Sequence, residues 1–404
     1  MNVTQDTLEL IKQAQKSPDD NLAKTIASGA GLVAYDLQTP AKNLYPTVTP
    51  IRNVMPRVSG GTGPATNWKQ VSALIGSGFD AMGWVPEGQR SGQMSYATAS
   101  KSASYITIGE EDAATYEAIA AGRGLEDITA RMSFRLLQKM MLKEEMAILG
   151  GNASLALGTP SMPVLSAGGA GATLPAATYS VIVVALTLEG YQNSSLSGGV
   201  ATTKTITGAD GKSYTLSGGS SNKSAAVTQA VALGQTLSCS VTPIRGAVAY
   251  AWYVGSAGSE KLEAITTINS VVFAAPLVGT GQPATTITVD NSTNASYAYD
   301  GLLTTALKPG SNAYIKTMAT GTAGTGTPLT ASGRGSVNEI DAMFESMWDL
   351  YQVSPTVLYV NAQELKNITE KVLTGASGPL LRFDAPTDAS SGGYQLTASG
   401  VVQF

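Results

Sequence analysis

The sequence changes character abruptly near residue 152, and this change limits the possible folds more than any other feature. Residues 160–296 carry almost no helical pattern and are rich in Gly, Ser, Thr, Ala and Val. Short runs that alternate apolar and polar residues recur there between turn residues, as in strands with one buried face. The clearest runs are TYSVIVVALTLEG, SYTLSG, QTLSCSVTPI, VAYAWYVG, KLEAITTI and TTITVD. About seven such strands predict an all-β sandwich.

A long helix is predicted immediately before this region. In EDITARMSFRLLQKMMLKEEMAILGGN, residues 126–152, apolar side chains recur mostly every four residues and form one face. Its members are Ile128, Met132, Leu136, Met140 and Ile148, with Leu137 and Met141 widening the face. Glu126 and Asp127 favour the positive end of the helix dipole, and Gly150-Gly151 predict the end of the helix. About 24 residues at roughly 1.5 Å each give a helix of about 36 Å.

Helix and strand patterns return after the sandwich region. SVNEIDAMFESMWDLYQ predicts an amphipathic helix with a capping box formed by Ser336 and Glu339. PTVLYV predicts a buried strand. NAQELKNITEKVLTG predicts a second capped helix, with Asn361 and Glu364 at its start and a stop at Gly375. Because mixed patterns lie on both sides of the sandwich, the sequence predicts one α/β domain with an inserted sandwich.

Two segments are predicted to project from this domain. After a short polar helix at residues 4–15, LQTPAKNLYPTVTPIRNVMPRV holds four prolines, which block helix and favour an extended arm. The prolines are Pro40, Pro46, Pro50 and Pro56. Residues 79–109 alternate around a Gly-rich centre and predict a long hairpin with PEGQRSGQ at its tip. Such projections cost conformational entropy unless a partner orders them, so the pair indicates an obligate assembly.

Motifs for catalysis or ligand binding are weak. The sequence has no histidine, which excludes Ser-His-Asp and Cys-His catalysis and histidine-ligated zinc. GADGKS resembles a phosphate-binding loop, but the spacing of its glycines is too short, so a hairpin turn is predicted. Glu110, Glu111 and Asp112 offer the carboxylates of a glycosidase, although adjacent carboxylates at a strand–helix junction are more often a solvated turn. TGTAGTGT, with Gly321, Gly324 and Gly326, predicts a flexible loop. No catalytic, cofactor or metal site is predicted.

Charge and cysteine content narrow the expected partners. Charged residues make up 13% of the chain, about half of the usual share. The net charge of −4 lacks the basic footprint of a protein that reads nucleic acid. The single cysteine, Cys239, allows no intrachain disulfide and is interpreted as a small core residue. No signal peptide and no bilayer-spanning run is found, so a reducing cytoplasm and no membrane partner are expected.

Taken in order, these pieces resemble the major capsid proteins of tailed phages, which have the Hong Kong ninety-seven-type fold. The resemblance rests on TPAKNLYPTVTPIRNVMPRV, GWVPEGQ, LEDITARMSFRLLQKMMLKEEMAILGGN, YDGLLTTAL and SVNEIDAMFESMWDLYQVSPTVLYVNAQELKNI. It implies an α+β fold in four parts. These are an N-terminal helix and N-arm at residues 1–78, an E-loop hairpin at 79–109, a peripheral domain with a spine helix at 110–159, and an axial domain with return strands at 297–404.

Residues 160–296 are interpreted as an immunoglobulin-like sandwich inserted into that fold. CSVTPIRGAVAYAW would place Cys239 and Trp252 on neighbouring strands, as in immunoglobulin-like or fibronectin-like cores. The second cysteine of an antibody domain is missing, so the similarity is to the wider sandwich class. The inserted domain is expected to project outward, where it would stabilise the shell or adhere to a surface.

The resemblance implies a major capsid protein that assembles into hexamers and pentamers of an icosahedral shell around the phage genome. The hairpin tip would lie on a neighbouring subunit, and the residues assigned to this interface are Trp84, Pro86, Glu87, Gln89 and Arg90. The apolar face of the long helix would form the core of the spine. Implied partners are a portal, a separate scaffold protein, decoration proteins and non-specifically contacted DNA. The implied location is the virion, with assembly in the host cytoplasm.

Two other functions are compatible with the sequence. A tail or adhesin-type virion protein would bind a receptor through the β-sandwich, and an enzyme would have to work with carboxylates alone. The form of the purified material separates these functions, because a capsid protein makes closed shells whereas the others make tubes, fibres or monomers. The hairpin tip contains no lysine, so covalent cross-links between subunits are not expected.

Overall fold

The computed structural model describes residues 47–59, 61–76, 83–123, 126–331 and 336–374. They form a mixed α+β protein with several antiparallel sheets, in agreement with the predicted class. The helices are α1 (Pro50–Val54), α2 (Tyr116–Ala121), α3 (Ile128–Gly150), α4 (Leu188–Asn193), α5 (Leu302–Leu307), α6 (Asn338–Tyr351) and α7 (Ala362–Thr374). The predicted helix at residues 4–15, the stop at Gly375 and the predicted return strands beyond it lie outside the described residues.

The described strands number twelve. They are β1 (Ala65–Ile75), β2 (Ser95–Ser104), β3 (Val164–Gly168), β4 (Ala177–Leu186), β5 (Thr203–Thr207), β6 (Ser213–Ser217), β7 (Ser220–Lys223), β8 (Val227–Val231), β9 (Thr236–Ser240), β10 (Ala249–Gly255), β11 (Lys261–Thr266) and β12 (Ser270–Phe273). The chain divides into two units. The smaller comprises Met1–Thr47 and Glu111–Leu137, and the larger comprises Val48–Glu110 and Gln138–Phe404.

In the smaller unit, the end of α2 lies close to the start of α3. Gly122 is buried there, and a Cβ atom at this position would lie 2.6 Å from Cγ1 of Ile128, so a larger residue would push the two helix ends apart. Asp127 caps α3, because its Oδ1 accepts hydrogen bonds from the N–H groups of Thr129 and Ala130 at 2.9 and 3.1 Å. The acidic residue thus precedes the first helical turn that it was predicted to occupy.

The end of α3 was predicted correctly, but its cause is packing rather than backbone conformation. Neither Gly150 nor Gly151 adopts a left-handed φ, which a helix-stopping glycine commonly does. Instead, a Cβ atom on Gly151 would lie 2.6 Å from the carbonyl oxygen of Tyr299, and one on Gly150 would collide with the side chain of Leu188. Glycine is therefore required here because other parts of the chain pass so close.

The predicted long hairpin is formed by β1 and β2. The strands pair antiparallel from Ala65↔Ser104 to Ile75↔Ser95, with an irregularity between Val71 and Ala73. The first strand lies before residue 79, in the segment predicted as arm. ATNWKQVSALI lacks proline and contains β-branched and aromatic residues, which suits a strand better than an extended arm.

Two facing antiparallel sheets form the predicted sandwich. The larger has the order β11-β10-β4-β7, with β8 also paired to β4, and the smaller has the order β12-β9-β3. Side chains from both sheets fill one core, in which Leu237, Cys239 and Trp252 are almost completely buried. Cys239 and Trp252 therefore share a core as predicted, but they lie on opposite sheets rather than on neighbouring strands.

The larger sheet is buried on both faces at its centre. On β4, Val183 faces the core shared with the smaller sheet, whereas Val184 faces a second core on the other side. That second core is completed by Val200 and Ile287, which lie outside the strands. Strands covered on both faces carry nearly continuous apolar runs. This explains SVIVVAL in β4, where simple alternation was expected.

The chain segments that connect the sandwich to the rest of the larger unit run side by side. We call residues 151–158 and 290–301 together the neck. Hydrogen bonds join its two segments, among them Gly301 N to Gly151 O (2.8 Å), Asn294 N to Asn152 O (2.9 Å), Leu157 N to Ser292 Oγ (2.9 Å) and Gly158 N to Asp290 Oδ2 (2.7 Å). An inserted domain needs its two ends close together, and the neck provides this arrangement.

A later part of the chain also holds the sandwich. The amide of Asn269 donates a hydrogen bond to Oγ1 of Thr320 at 2.9 Å, and the N–H of Gly324 donates one to Oγ of Ser270 at 3.1 Å. These residues include the TGTAGTGT segment predicted as a flexible loop, which thus packs beside β12. The sandwich is therefore joined to the rest of the larger unit at two places, the neck and this later segment.

The carboxylate of Asp300 joins the two segments of the neck by hydrogen bonds. It accepts hydrogen bonds from the N–H groups of Ala153 and Ser154, both at 3.0 Å, and from Lys308 at 3.1 Å. Burial opposes ionisation of Asp300, but the hydrogen bonds from Ser154, Lys308 and Ala153 together outweigh it and hold the pKa of Asp300 below its usual value. A carboxyl with a lowered pKa stabilises the folded state above its unfolded pKa of about 3.9 and loses this contribution as the pH falls through the folded pKa.

We therefore expect the neck to loosen in acid. The amide protection factors of Ala153 and Ser154, measured by hydrogen exchange, should fall as the pH decreases from about 5 to about 2. Asp300→Asn is the control, because it removes the titrating group: its protection should be lower at neutral pH and should lack this dependence. Protection in the wild-type chain that stays constant over the same pH range would contradict the assignment.

The carboxyl-terminal helices form a small core of their own. Val337, Ile368 and Val372 are buried, with Leu329 and Ile340 packed against them. The predicted cap of α7 is confirmed. Its first turn is closed by Asn361, whose side-chain oxygen accepts a hydrogen bond from the N–H of Glu364 at 2.7 Å.

Two predictions in this region are wrong. The residue before α6 is Val337, which makes no side-chain cap, and Glu339 accepts a hydrogen bond from the N–H of Thr330 at 2.9 Å instead of closing a capping box with Ser336. PTVLYV is not a buried strand, since Val357 is 62% exposed and no described strand pairs with this segment. An apolar run becomes a strand only where a second backbone lies beside it.

Candidate assembly surfaces

The hairpin tip exposes every residue that was assigned to it. Gln89 N donates a hydrogen bond to Pro86 O at 3.1 Å, and Gly88 between them has a φ of 79°, so PEGQ forms the predicted turn. Trp84 is 87% exposed. Large aromatic side chains are the usual anchors of protein interfaces. The exposed residues are Trp84, Pro86, Glu87, Gln89 and Arg90.

The paired part of the hairpin is exposed on both faces. Nearly every position of β1 and β2 is open to solvent. The large apolar side chains left exposed on or beside these strands are Trp68, Val71, Leu74, Ile75, Met94 and Tyr96. A two-stranded hairpin is at best marginally stable in water by itself, and clustered exposed apolar residues mark interaction sites. The hairpin therefore has the surface of an element that a partner completes.

The apolar face predicted on α3 is only half covered. Ile128, Met132, Leu136, Met140 and Ile148 are all intermediate in exposure. Leu137, which was predicted to widen the face, is 56% exposed. Positions 129–131 and 133–135 are exposed, so the face has the predicted period. The five residues share one side of the helix as predicted, but the described part of the chain does not close a core over that side.

A buried carboxylate on α3 was missed by the sequence reasoning. Glu145 is buried, and its two oxygens accept hydrogen bonds from the N–H groups of Ile51 and Arg52 at 3.1 and 2.7 Å. The neighbouring Glu144 pairs with the guanidinium groups of Arg52 and Arg57. Together the two glutamates hold the start of α1 against α3. The available signal was a pair of adjacent acidic residues in a helix whose other charged residues are all basic.

The short helix α1 corrects the prediction of an extended arm. Prolines were expected to prevent helix in this segment, yet Pro50 occupies the first helical position, where a missing N–H costs nothing. The N–H groups that follow it have no partner within the helix. Glu145 supplies their acceptors. Of the predicted arm, residues 37–46 lie outside the described residues.

We expect Glu145→Ala to release α1 from α3. Two backbone N–H groups lose their acceptor, so the free energy of unfolding should fall by about 2–4 kcal/mol. Denaturant titration and hydrogen exchange at Ile51 and Arg52 measure the effect. Glu144→Ala is the control, because its ion pairs are partly exposed and worth at most about 1 kcal/mol. Equal losses in the two variants would show that Glu145 has no special role.

A third exposed apolar surface comprises the end of α6 and the residues that follow it. The exposed residues are Trp348, Leu350, Tyr351, Val353, Val357, Leu358, Tyr359 and Val360. The backbone of residues 353–360 joins no sheet of the described chain. An apolar segment with unpaired backbone is suited to pairing with another strand. Hence residues 353–360, like the hairpin, present a surface that the described chain leaves open.

The described residues offer little for catalysis. Within the described ranges, no group of three or more His, Cys, Asp or Glu could hold a metal ion. Burial raises the pKa of Cys239 to about 12, so its thiol stays protonated at neutral pH. Glu110 pairs with Lys143, and Asp112 pairs with Arg135. The hydrogen bond from Arg135 lowers the pKa of Asp112, which is the opposite of what a general acid needs.

The remaining motif, GADGKS, is the turn between β5 and β6, as predicted. Gly208 N donates a hydrogen bond to Lys212 O at 2.9 Å, and Gly211 has a φ of 77°. A phosphate would find a strand-to-strand turn here, without the helix N-terminus that such loops precede. None of the helices in the described ranges is long and apolar enough to cross a membrane.

Similarity to known proteins does not extend these observations. The candidate assembly surfaces are three: the hairpin, the apolar face of α3, and residues 353–360. All three leave large apolar side chains in solvent. The sequence matches no protein-family model, and no curated protein or solved structure matches it either.

Proposed function

We propose that this chain is a self-assembling shell subunit, a major capsid protein that forms the hexamers and pentamers of an icosahedral phage capsid. The observation that carries the proposal is the hairpin of β1 and β2, whose paired strands are exposed on both faces and bear apolar side chains. Folding of one chain gains nothing from such an element. Assembly does, because neighbouring subunits cover both faces.

The energetics agree with an obligate assembly. Burying apolar surface contributes roughly 25 cal/mol per Å², and obligate interfaces typically bury more than about 2,000 Å² in total. The hairpin, the α3 face and residues 353–360 each contribute exposed apolar side chains to such an interface. A chain with so much unsatisfied surface would aggregate unless copies covered one another in a fixed arrangement.

The sandwich supports a role outside the shell contacts. In this proposal it is an inserted immunoglobulin-like domain that projects outward through the neck and stabilises the shell or adheres to a surface. Its two cores are closed without help from another chain. An outward position also leaves the interior for DNA, which the mildly acidic chain would contact only non-specifically. A portal, a separate scaffold protein and decoration proteins complete the proposed set of partners.

The form of the purified protein tests the proposal. We expect closed isometric particles in negative-stain electron microscopy, and a large sedimenting species in place of monomer. Tubes or fibres would instead favour the alternative, a tail or adhesin-type virion protein that binds a receptor through the sandwich. A chain that stays monomeric at high concentration, with or without a co-expressed scaffold protein, would overturn the shell proposal.

A further inference from the structure

A groove lies at the base of the hairpin. It has a volume of about 800 Å³ and lies between the base of β1 and β2 and residues 295–313. Its walls include Trp68, Lys101, Ile106, Tyr299 and Lys308. These walls carry both apolar and polar side chains. This mixture is typical of a site for another polypeptide with both an apolar anchor and a charge.

The groove holds an unpaired positive charge. Lys308 forms an ion pair with Asp300 at 3.1 Å, which neutralises it. Lys101 is exposed, and among the described residues it has no ion-pair partner. Trp68, directly opposite Lys101 in the ladder, is 48% exposed and supplies an aromatic surface. A complementary ligand would therefore carry an apolar or aromatic side chain together with a carboxylate.

The hairpin tip carries this combination. Trp84 and Glu87 lie three residues apart and are both exposed, and Glu87 forms no ion pair with the described residues. Pro86, between them, stiffens the segment. The groove, with a volume of about 800 Å³, is large enough for an indole side chain. Size, aromatic content and charge all match.

The tip does not occupy the groove of its own chain. No residue of the tip lines the groove. The ladder runs from the Trp68↔Lys101 pair at the groove to the Ile75↔Ser95 pair beside the tip, and seven residues of strand span about 23 Å. Because no tip residue of this chain lines the groove, the tip that complements it is that of a second copy.

We propose that the hairpin tip of one copy inserts into the groove at the hairpin base of the next, with Trp84 against Trp68 and Glu87 paired with Lys101. This proposal rests on the proposed self-assembly and names its receptor surface. The two surfaces differ, so the contact is head-to-tail. Repeated head-to-tail contacts generate a ring when the rotation closes, which is the geometry that a capsomer requires.

A charge exchange tests the pairing. Glu87→Lys and Lys101→Glu should each raise the protein concentration at half-assembly at least tenfold, measured by analytical sedimentation. The double variant Glu87→Lys with Lys101→Glu should recover most of that loss, because the pair is restored with reversed signs. Glu117→Lys is the matched control. This glutamate is also exposed but belongs to α2 and to neither the hairpin nor the groove, so the change should leave assembly unaltered.

Cysteine cross-linking gives an independent readout. The only native cysteine, Cys239, is buried, so introduced thiols report alone. A Glu87→Cys chain mixed with a Lys101→Cys chain and oxidised should give a disulfide-linked heterodimer on a denaturing gel. If the wild-type chain assembles but the double variant is not rescued and no heterodimer forms, the groove is not the receptor while self-assembly stands. If the wild-type chain does not assemble, both proposals fail.

Discussion

A chain that lacks residues 84–94 is expected to fold normally and to lose assembly. The tip contributes nothing to the cores of the chain, because its residues are exposed. Its removal leaves residues 76–83 to connect β1 to β2, which is long enough for a hairpin loop. The ladder should therefore persist. Circular dichroism should be nearly unchanged, whereas sedimentation should show only small species.

The control for this deletion is a change in another exposed hairpin. Shortening the turn at residues 208–212, between β5 and β6, removes exposed residues from the sandwich without touching the hairpin of β1 and β2. We expect that variant to assemble like the wild type. Normal particles from the chain without residues 84–94 would refute the role given to the tip.

Trp252→Ala is expected to cost about 3–5 kcal/mol of folding stability in the sandwich. The indole is completely buried between the two sheets, and its Nε1–H donates a hydrogen bond to Oγ1 of Thr266 at 2.9 Å. Truncation removes the apolar contacts, leaves a cavity and removes the hydrogen bond to Thr266, whose hydroxyl keeps its bond to the carbonyl oxygen of Ile268. Differential scanning calorimetry should show a lower melting temperature.

The chain provides a matched control for this substitution. Trp84→Ala makes the same chemical change at a site that is 87% exposed, where the expected loss of stability is within about 0.5 kcal/mol. The two variants should differ in opposite directions in a second assay. Trp84→Ala should impair assembly and spare folding, whereas Trp252→Ala should impair folding first. Similar melting temperatures for the two variants would contradict the core assignment.

Local patterns predicted the elements that depend on local physics. The period of apolar residues placed α3 at residues 126–152, and the structure has Ile128–Gly150. PEGQ predicted a turn, because proline and glycine restrict the backbone in a way that neighbours need not supply. Asn361 predicted the cap of α7 because its own side chain accepts a hydrogen bond from the first helical turn. These features are determined within a few residues of sequence.

Features that depend on distant partners were not predicted. Helix α1 forms in a proline-rich segment because Glu145, far away in the sequence, accepts its N–H groups. PTVLYV has the composition of a strand, but no described strand pairs with it. The face of α3 has the predicted residues, yet their burial depends on what covers them. The groove could not be predicted at all, since it joins Trp68 and Lys101 with residues 295–313.

The neck also determines how the protein carries mechanical tension. Both of its segments run from the rest of the larger unit to the sandwich, so a pull on the sandwich along the neck stretches them in parallel. Two covalent backbones then share the tension, and none of the hydrogen bonds between them has to break. The pull reaches α3 through Gly151 and α5 through Gly301. Twisting the sandwich about the neck, in contrast, strains the hydrogen bonds between the two segments directly. The neck therefore holds the sandwich rigidly and does not let it swivel freely.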